Sequence, residues 1–232
     1  TFGRRRIEIP LREFAPKIDT RTLFSLNWRF GGTSQRKKTG TEAEYLLGLF
    51  DEWIERCSSN GWLRPQGVFG LFPCQSEGDE VVVYASGETT RELCRLNFTP
   101  VIGADRKDKV SGAEYFHPES SGGVGVVGVQ ITTAGPQVEA EIARMKAAGD
   151  SESALFLQGL SDRIAEDMAD HVHGVMREIV GMAGMDAGTR WSPGYPGMAN
   201  IMNNRTLLEL LDATNEVGVQ ITEAGEFIPT GT

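Results

Sequence analysis

Cysteine, histidine and long apolar runs are all scarce in this chain of 232 residues. Its three cysteines, Cys57, Cys74 and Cys94, are an odd number, form no CxxC pair and have no histidine near them, which excludes a disulfide framework and offers no zinc site. Free thiols, no bound metal and a reducing cytoplasm are expected. The longest apolar runs, residues 67–74 and 124–131, fall far short of the roughly 20 residues a membrane span needs, and the opening TFGRRR lacks the apolar core of a signal peptide. Basic residues are outnumbered, 23 against 32 acidic, for a net charge of -9. That balance excludes a nucleic-acid backbone or an anionic membrane surface as the main partner and leaves small cationic or zwitterionic ligands open.

A hydrophobic fraction of 40% over this length can bury a substantial core, and the simplest reading is one domain over residues 1–232. The chain starts without methionine and stops at FIPTGT directly after an alternating run, so a piece of something longer, with a C-terminal segment missing, is expected. TEAEYLLGLFDEWIERC opens on a Thr41 to Glu44 capping-box pattern, and Leu46, Leu49, Phe50, Trp53, Ile54 and Cys57 follow at helical spacing, closed by Asn60-Gly61. GVFGLFPC and DEVVVYAS are β-rich runs joined by QSEG, the pattern of a hairpin. Cys94 falls in what reads as a short helix. A third strand is expected at GVGVVGVQIT, a helix at GPQVEAEIARMKAAG, and the longest helix from Ser153 to about Val180, where apolar residues keep the helical interval throughout. NRTLLELLDATNEVG predicts one more helix and VQITEAGEFIPT a final strand. Elements interleave irregularly and without repeats, so the fold class is α+β with a mostly antiparallel sheet.

Three motifs bear on function. GVGVVG matches the glycine spacing of a dinucleotide fingerprint, but HPESSG precedes it and β-prone VQITT follows, so no helix stands ready to meet a pyrophosphate; glycines in a tightly packed strand are the better reading. On the long helix, Asp162, Glu166, Asp170 and His173 share one face opposite the apolar stripe. A solvated acidic surface is the ordinary explanation, and a cation site the functional one. RWSPGYP places Pro193-Gly194 as a type II turn and Pro196 as further stiffening. The turn leaves Arg190 and Tyr195 unexplained: an arginine fork suits a carboxylate, and exposed main-chain groups suit a flat heterocycle.

RWSPGYP, followed by a leucine-rich helix and GVQITEAGEFIPTGT, resembles the activation domain of cobalamin-dependent methionine synthase. The likeness extends to APKIDTRTLFSLNW, LRPQGVFGLFPC, KVSGAEY and SDRIAEDMADHVH, in order and over most of the chain. The resemblance implies a curved α+β module around a twisted, mostly antiparallel sheet flanked by helices, binding S-adenosylmethionine. It implies that Asp19 meets the ligand's ammonium and Arg190 its carboxylate. Gly194, Tyr195, Pro196 and the backbone around them would hold the adenosine, and Asp162 and Glu166 would lie near the sulfonium. No residue is implied as a catalytic acid or base. Cobalamin would be held by a partner domain or subunit, and a flavodoxin- or ferredoxin-type donor would supply the electron for remethylation of the oxidised cobalt. The chain departs from the family pattern in the short connection IVGMAGMDAGT, in Gly197-Met198 where the family continues with alanine-cysteine, and in a late tyrosine that would follow FIPTGT. An activation module of another corrinoid methyltransferase, and a capping module without ligand, are the alternatives.

Overall fold

Strand β2 (Gln66–Glu77), which carries GVFGLFPC, is buried at every position except its last. The structure is a computed structural model that describes residues 2–30, 40–85, 89, 91–99, 111–185 and 188–232. An unbroken apolar strand needs cover on both faces, and the alternation of side chains along β2 divides it between two cores. Val68, Phe72 and Cys74 enter one of them, and Phe69 and Leu71 the other.

Strands β1 (Gly3–Glu8) and β3 (Glu80–Tyr84) pair with successive stretches of one edge of β2, and β4 (Glu92–Asn97) extends the sheet from β3. β5 (Gly125–Thr133) runs along the opposite edge, from Gln66 to Cys74. Every pairing in this sheet is antiparallel, and the sheet curls, so the α+β class holds. The last four residues of GVGVVG open β5 and no helix follows directly, as the packing explanation requires. A Cβ on Gly128 would lie 2.9 Å from Met176 Sδ, so the glycine lets a helix sit close.

That helix is α5 (Ser151–Ile179), 29 residues long. It begins two residues before the expected start because Asp150 is its cap, accepting from the Ser153 amide at 3.1 Å. Leu157, Leu160, Ile164, Met168 and Val172 meet Leu46, Phe50, Trp53 and Cys57 of α3 (Gly40–Asn60) in the first core. α4 (Val138–Ala147) packs beside α5. α3 starts one residue ahead of Thr41, whose side chain lies outside the described residues, as do Ser86, Lys109, Val110, Asp186 and Ala187 of the quoted motifs.

Several expectations are corrected. Cys94 lies in β4, not in a helix: Leu96 turns into the second core while Arg95 faces outward to Glu77, Glu80 and Glu92, which is strand alternation. The turn after β2 is Gly78-Asp79, so most of QSEG remains strand. NRTLLELLDATNEVG forms two helices, α6 (Asn203–Leu211) and α7 (Ala213–Val217), broken where Asp212 takes φ +52° and pairs with Arg4 at 3.3 Å. VQITEAGEFIPT folds back on itself as β6 (Gln220–Ile221) and β7 (Phe227–Ile228), with Gly225 at φ +87° in the bend. β1 went unanticipated because Arg4, Arg5 and Arg6 are all exposed and break the apolar alternation that marks a strand.

The thiols match the expectation of free cysteines: Cys57 and Cys74 are buried and Cys94 partly so, and none is bonded. Burial pushes Cys57 and Cys74 up to about 12 and Cys94 to about 11, which keeps them protonated at neutral pH.

The IDTRTLFSLNW segment follows α1 (Leu11–Phe14) and folds as α2 (Thr20–Thr22) and a π-helical turn at Leu23–Asn27, which packs on α5. Trp28 is 2% exposed and donates its indole N–H to the Phe156 carbonyl at 2.9 Å. Its ring lies over Gly159, where a Cβ would stand 2.9 Å from Trp28 Cδ1 and 3.0 Å from Asn27 Cβ. Alanine in a helix interior ordinarily gains up to about 1 kcal/mol over glycine, but overpacking costs about 1–3 kcal/mol. Gly159→Ala should therefore lower stability in urea unfolding; an increase would show that the Trp28 seat yields freely.

Candidate functional site

The sequence RWSPGYPGM folds as two consecutive proline-glycine turns. Tyr195 N donates to Ser192 O at 3.2 Å with Gly194 at φ +89°, and Met198 N donates to Tyr195 O at 3.1 Å with Gly197 at φ +96°. Each turn has proline second and positive-φ glycine third, the type II arrangement. Gly194 N closes the pair by donating to Met198 O at 2.9 Å. The segment is anchored by Met198, which is buried, and by Trp191, whose ring lies 5.8 Å from Phe98 and 5.4 Å from Tyr115. Tyr195 is left 67% exposed at the junction of the two turns.

This stiff loop, α5 and β5 enclose a cavity of about 1250 Å³. Arg190, Trp191, Tyr195 and Pro196 line it on the loop side, Glu166, His173 and Arg177 on the α5 side, and Val126 to Gln130 along β5. Across it, Arg190 Nη2 stands 3.2 Å from Asp170 Oδ1 and 3.7 Å from Glu166 Oε2. Among the described residues, Arg190 Nη1 is buried with no hydrogen-bond partner, and so is Gln130 Oε1. A buried donor without a partner costs about 1–3 kcal/mol.

The acidic stripe of α5 is therefore not a plain solvated surface. Glu166 accepts from Thr232 Oγ1 at 2.6 Å, and Thr232 is held in turn by two backbone bonds with Thr132, at 2.8 and 3.1 Å. Asp162 accepts from Gln158 Nε2 at 2.9 Å, and the Thr230 side chain lies close enough to act on its carboxyl. Burial raises its carboxyl above the ordinary range, against the pull of those two side chains, with the neighbouring Glu166 adding to the rise. Desolvation likewise lowers His173, with Arg177 and Arg190 acting in the same direction and Asp170 opposing.

Of the residues singled out in the sequence, the structure brings Arg190, Glu166, Tyr195 and Pro196 to one cavity. Gly194 shapes the turn, and Asp162 lies on α5 one turn before Glu166 without lining the cavity. Asp19 also lies off the lining. It caps α2, its Oδ1 accepting from the Arg21 and Thr22 amides and its Oδ2 from Thr22 Oγ1 at 2.6 Å, and these bonds to Thr22 hold its carboxyl below the usual range. Its own amide donates to Asp167 Oδ2 at 2.8 Å, and Asp167 pairs with Arg163 at 2.8 Å, so α5 grips this segment from the adjoining stripe. Asp167, Arg163 and the Thr230–Thr232 tail were missed in the sequence. The helical register of Asp167 beside Glu166 was the available signal for the first; the tail offered none.

A family model described as vitamin B12 dependent methionine synthase, activation domain, matches residues 10–232. The chain belongs to this family. A solved structure, that of a MetH reactivation domain bound to AdoHcy, is similar with a TM-score of 0.86 at 23% sequence identity, covering 98% of this chain and 75% of that one. At that identity the likeness establishes the fold. The family's description names vitamin B12, cobalamin, as the vitamin on which its methionine synthase depends. Among the described residues no helix of this activation domain is long and apolar enough to cross a membrane.

The raised carboxyl of Asp162 has a testable sign. A group whose folded pKa lies above its unfolded value binds more protons in the folded state, so its contribution to stability is lost as pH rises through that window. Asp162→Asn removes the penalty of ionising a buried group and retains an acceptor. The variant should gain stability relative to wild type as pH rises from about 3.8, the unfolded value, towards neutrality, in thermal unfolding followed against pH. A gap independent of pH would contradict the burial assignment.

Proposed function

We propose that this activation domain binds S-adenosylmethionine in the cavity between α5 and the double turn, positioning it for reductive remethylation of a cobalamin held by a partner domain. The observation that carries this reading is Arg190, only 28% exposed, on the wall of a ligand-sized cavity with a buried and unpartnered Nη1. The fork suits a carboxylate, and Gln130 lines the same cavity.

In this reading Arg190 clamps the ligand carboxylate, and Gly194, Tyr195 and Pro196 present backbone and ring to the adenosine. The rigid turns reduce the ordering cost of binding. The family resemblance gives the ligand's ammonium to Asp19, which stands off the cavity lining with its oxygens engaged in the α2 cap, so in this reading the ammonium end reaches beyond the lining. Glu166, with Asp162 one turn before it, supplies negative potential beside the cationic sulfonium. When bound, the ligand would supply an electrophilic methyl group to a corrinoid held by the partner and reduced by a flavodoxin- or ferredoxin-type donor. The chain contributes orientation and charge complementarity, and methyl transfer asks no proton of it. On this account the isolated domain binds ligand without turning over, and methyl transfer belongs to the whole methionine synthase.

Arg190→Ala should leave the fold intact, because the turns rest on Pro193-Gly194 and Pro196-Gly197, and Glu166 and Asp170 are exposed enough to be hydrated once unpaired. It should weaken S-adenosylmethionine binding by about 2–3 kcal/mol, on the order of a hundredfold, in titration calorimetry. Arg190→Lys should recover part of the loss, since an ammonium cannot reproduce the planar fork. Equal affinity in wild type and Arg190→Ala would show that the clamp lies elsewhere.

A further inference from the structure

We infer that Trp191 is a charge-reading wall of this site, recognising the ligand's sulfonium and so separating S-adenosylmethionine from the uncharged thioether S-adenosylhomocysteine. The inference rests on the proposed S-adenosylmethionine site and adds to it a residue and a selectivity. Trp191 follows Arg190 directly and lines the same cavity. It is only partly buried, unlike the core tryptophans Trp28 and Trp53.

Its position is set by close contacts. Phe98 meets it edge-on at 84° and 5.8 Å, Tyr115 lies at 5.4 Å and Phe116 at 6.4 Å. From below, the pyrrole edge rests on Gly197, where a Cβ would stand 2.7 Å from Trp191 Cδ1 and 2.8 Å from Nε1. The second proline-glycine turn therefore does two things: its glycine adopts φ +96°, and its missing side chain leaves room for the ring.

The chemistry of the ligand selects the role. A carboxylate finds the arginine fork, and an ammonium finds carboxylates through its N–H groups. A sulfonium has no N–H or O–H to donate, so a carboxylate meets it only by Coulomb attraction, which water and salt weaken in a half-exposed site such as that of Glu166 and Asp170. An indole face attracts a cation without any hydrogen bond, and tryptophan is the strongest of the aromatic residues in this. A sulfur a few bonds from a carboxylate held by Arg190 would come within reach of the wall that Trp191 forms.

The test is titration calorimetry of S-adenosylmethionine and S-adenosylhomocysteine against wild type, Trp191→Leu, Trp191→Phe and Gly197→Ala. Trp191→Leu should lose about 3- to 10-fold in affinity for S-adenosylmethionine and change by less than about twofold for S-adenosylhomocysteine. Trp191→Phe, which preserves a ring, should recover most of the difference. Gly197→Ala, which displaces the ring and also strains a backbone position at φ +96°, should lower the ratio of the two affinities in the same direction. Equal losses for both ligands would mean that the ring stacks on the adenosine or only supports the loop, and unchanged affinities for both would mean that it does not touch the ligand; either overturns the inference while leaving the site itself in place. A wild-type protein that binds neither ligand would overturn the S-adenosylmethionine reading, and this inference with it.

Discussion

The close seat of α5 on β5 is the constraint from which the rest of the site follows. β5 turns Gly128, Gln130 and Thr132 toward the helix, and the helix answers with Ala165 and Ala169, both fully buried. Thr132 Oγ1 donates to the Ala165 carbonyl at 2.9 Å and Gln130 Nε2 to the Ala169 carbonyl at 3.1 Å. Two mid-helix carbonyls thereby acquire a second bond, which fixes both the distance and the rotation of α5 about its axis. Rotation is what matters for function. With Ala165 and Ala169 against the sheet, Glu166 and Asp170 come round to the loop that carries Arg190, and Asp167 to the segment that carries Asp19.

The same rotation explains why one helix serves two purposes. Its apolar stripe closes the core against α3, while its polar stripe holds three separate segments of chain: the Asp19 cap, the double turn and the Thr230–Thr232 tail. None of those segments has much regular structure of its own. Each is fixed by one or two charge-assisted or hydroxyl bonds to α5, supported by prolines and aromatic packing, and so the cavity is assembled from loops on a rigid helix.

The sequence was legible where periodicity or turn chemistry carries the signal. The interval from Leu157 to Val172 defined α5, GVFGLFPC defined β2, and Pro193-Gly194 defined a turn with its positive-φ glycine in place. It was not legible where tertiary contact overrides local preference. The three arginines of β1 hide a strand whose hydrogen bonds come from β2, and Asp212 breaks a continuous helical pattern by entering a left-handed conformation beside Arg4. At the site, the residue types of Arg190 and Glu166 could be read from the motif, but not their ion pair, since it depends on the rotation of α5. Asp162 reads as one charge of the acidic stripe in the sequence, and burial raises its carboxyl above the ordinary range.

The central claim is that Arg190 leaves its contacts with Asp170 and Glu166, or shares them, to take a ligand carboxylate in this cavity. A crystal structure of the protein with S-adenosylhomocysteine tests it most directly. The account predicts a carboxylate oxygen within about 3 Å of the Arg190 guanidinium, with the adenosine against the turn from Gly194 to Pro196. A ligand bound outside the cavity, or one whose carboxylate points away from an undisturbed Arg190–Asp170 pair, would contradict it.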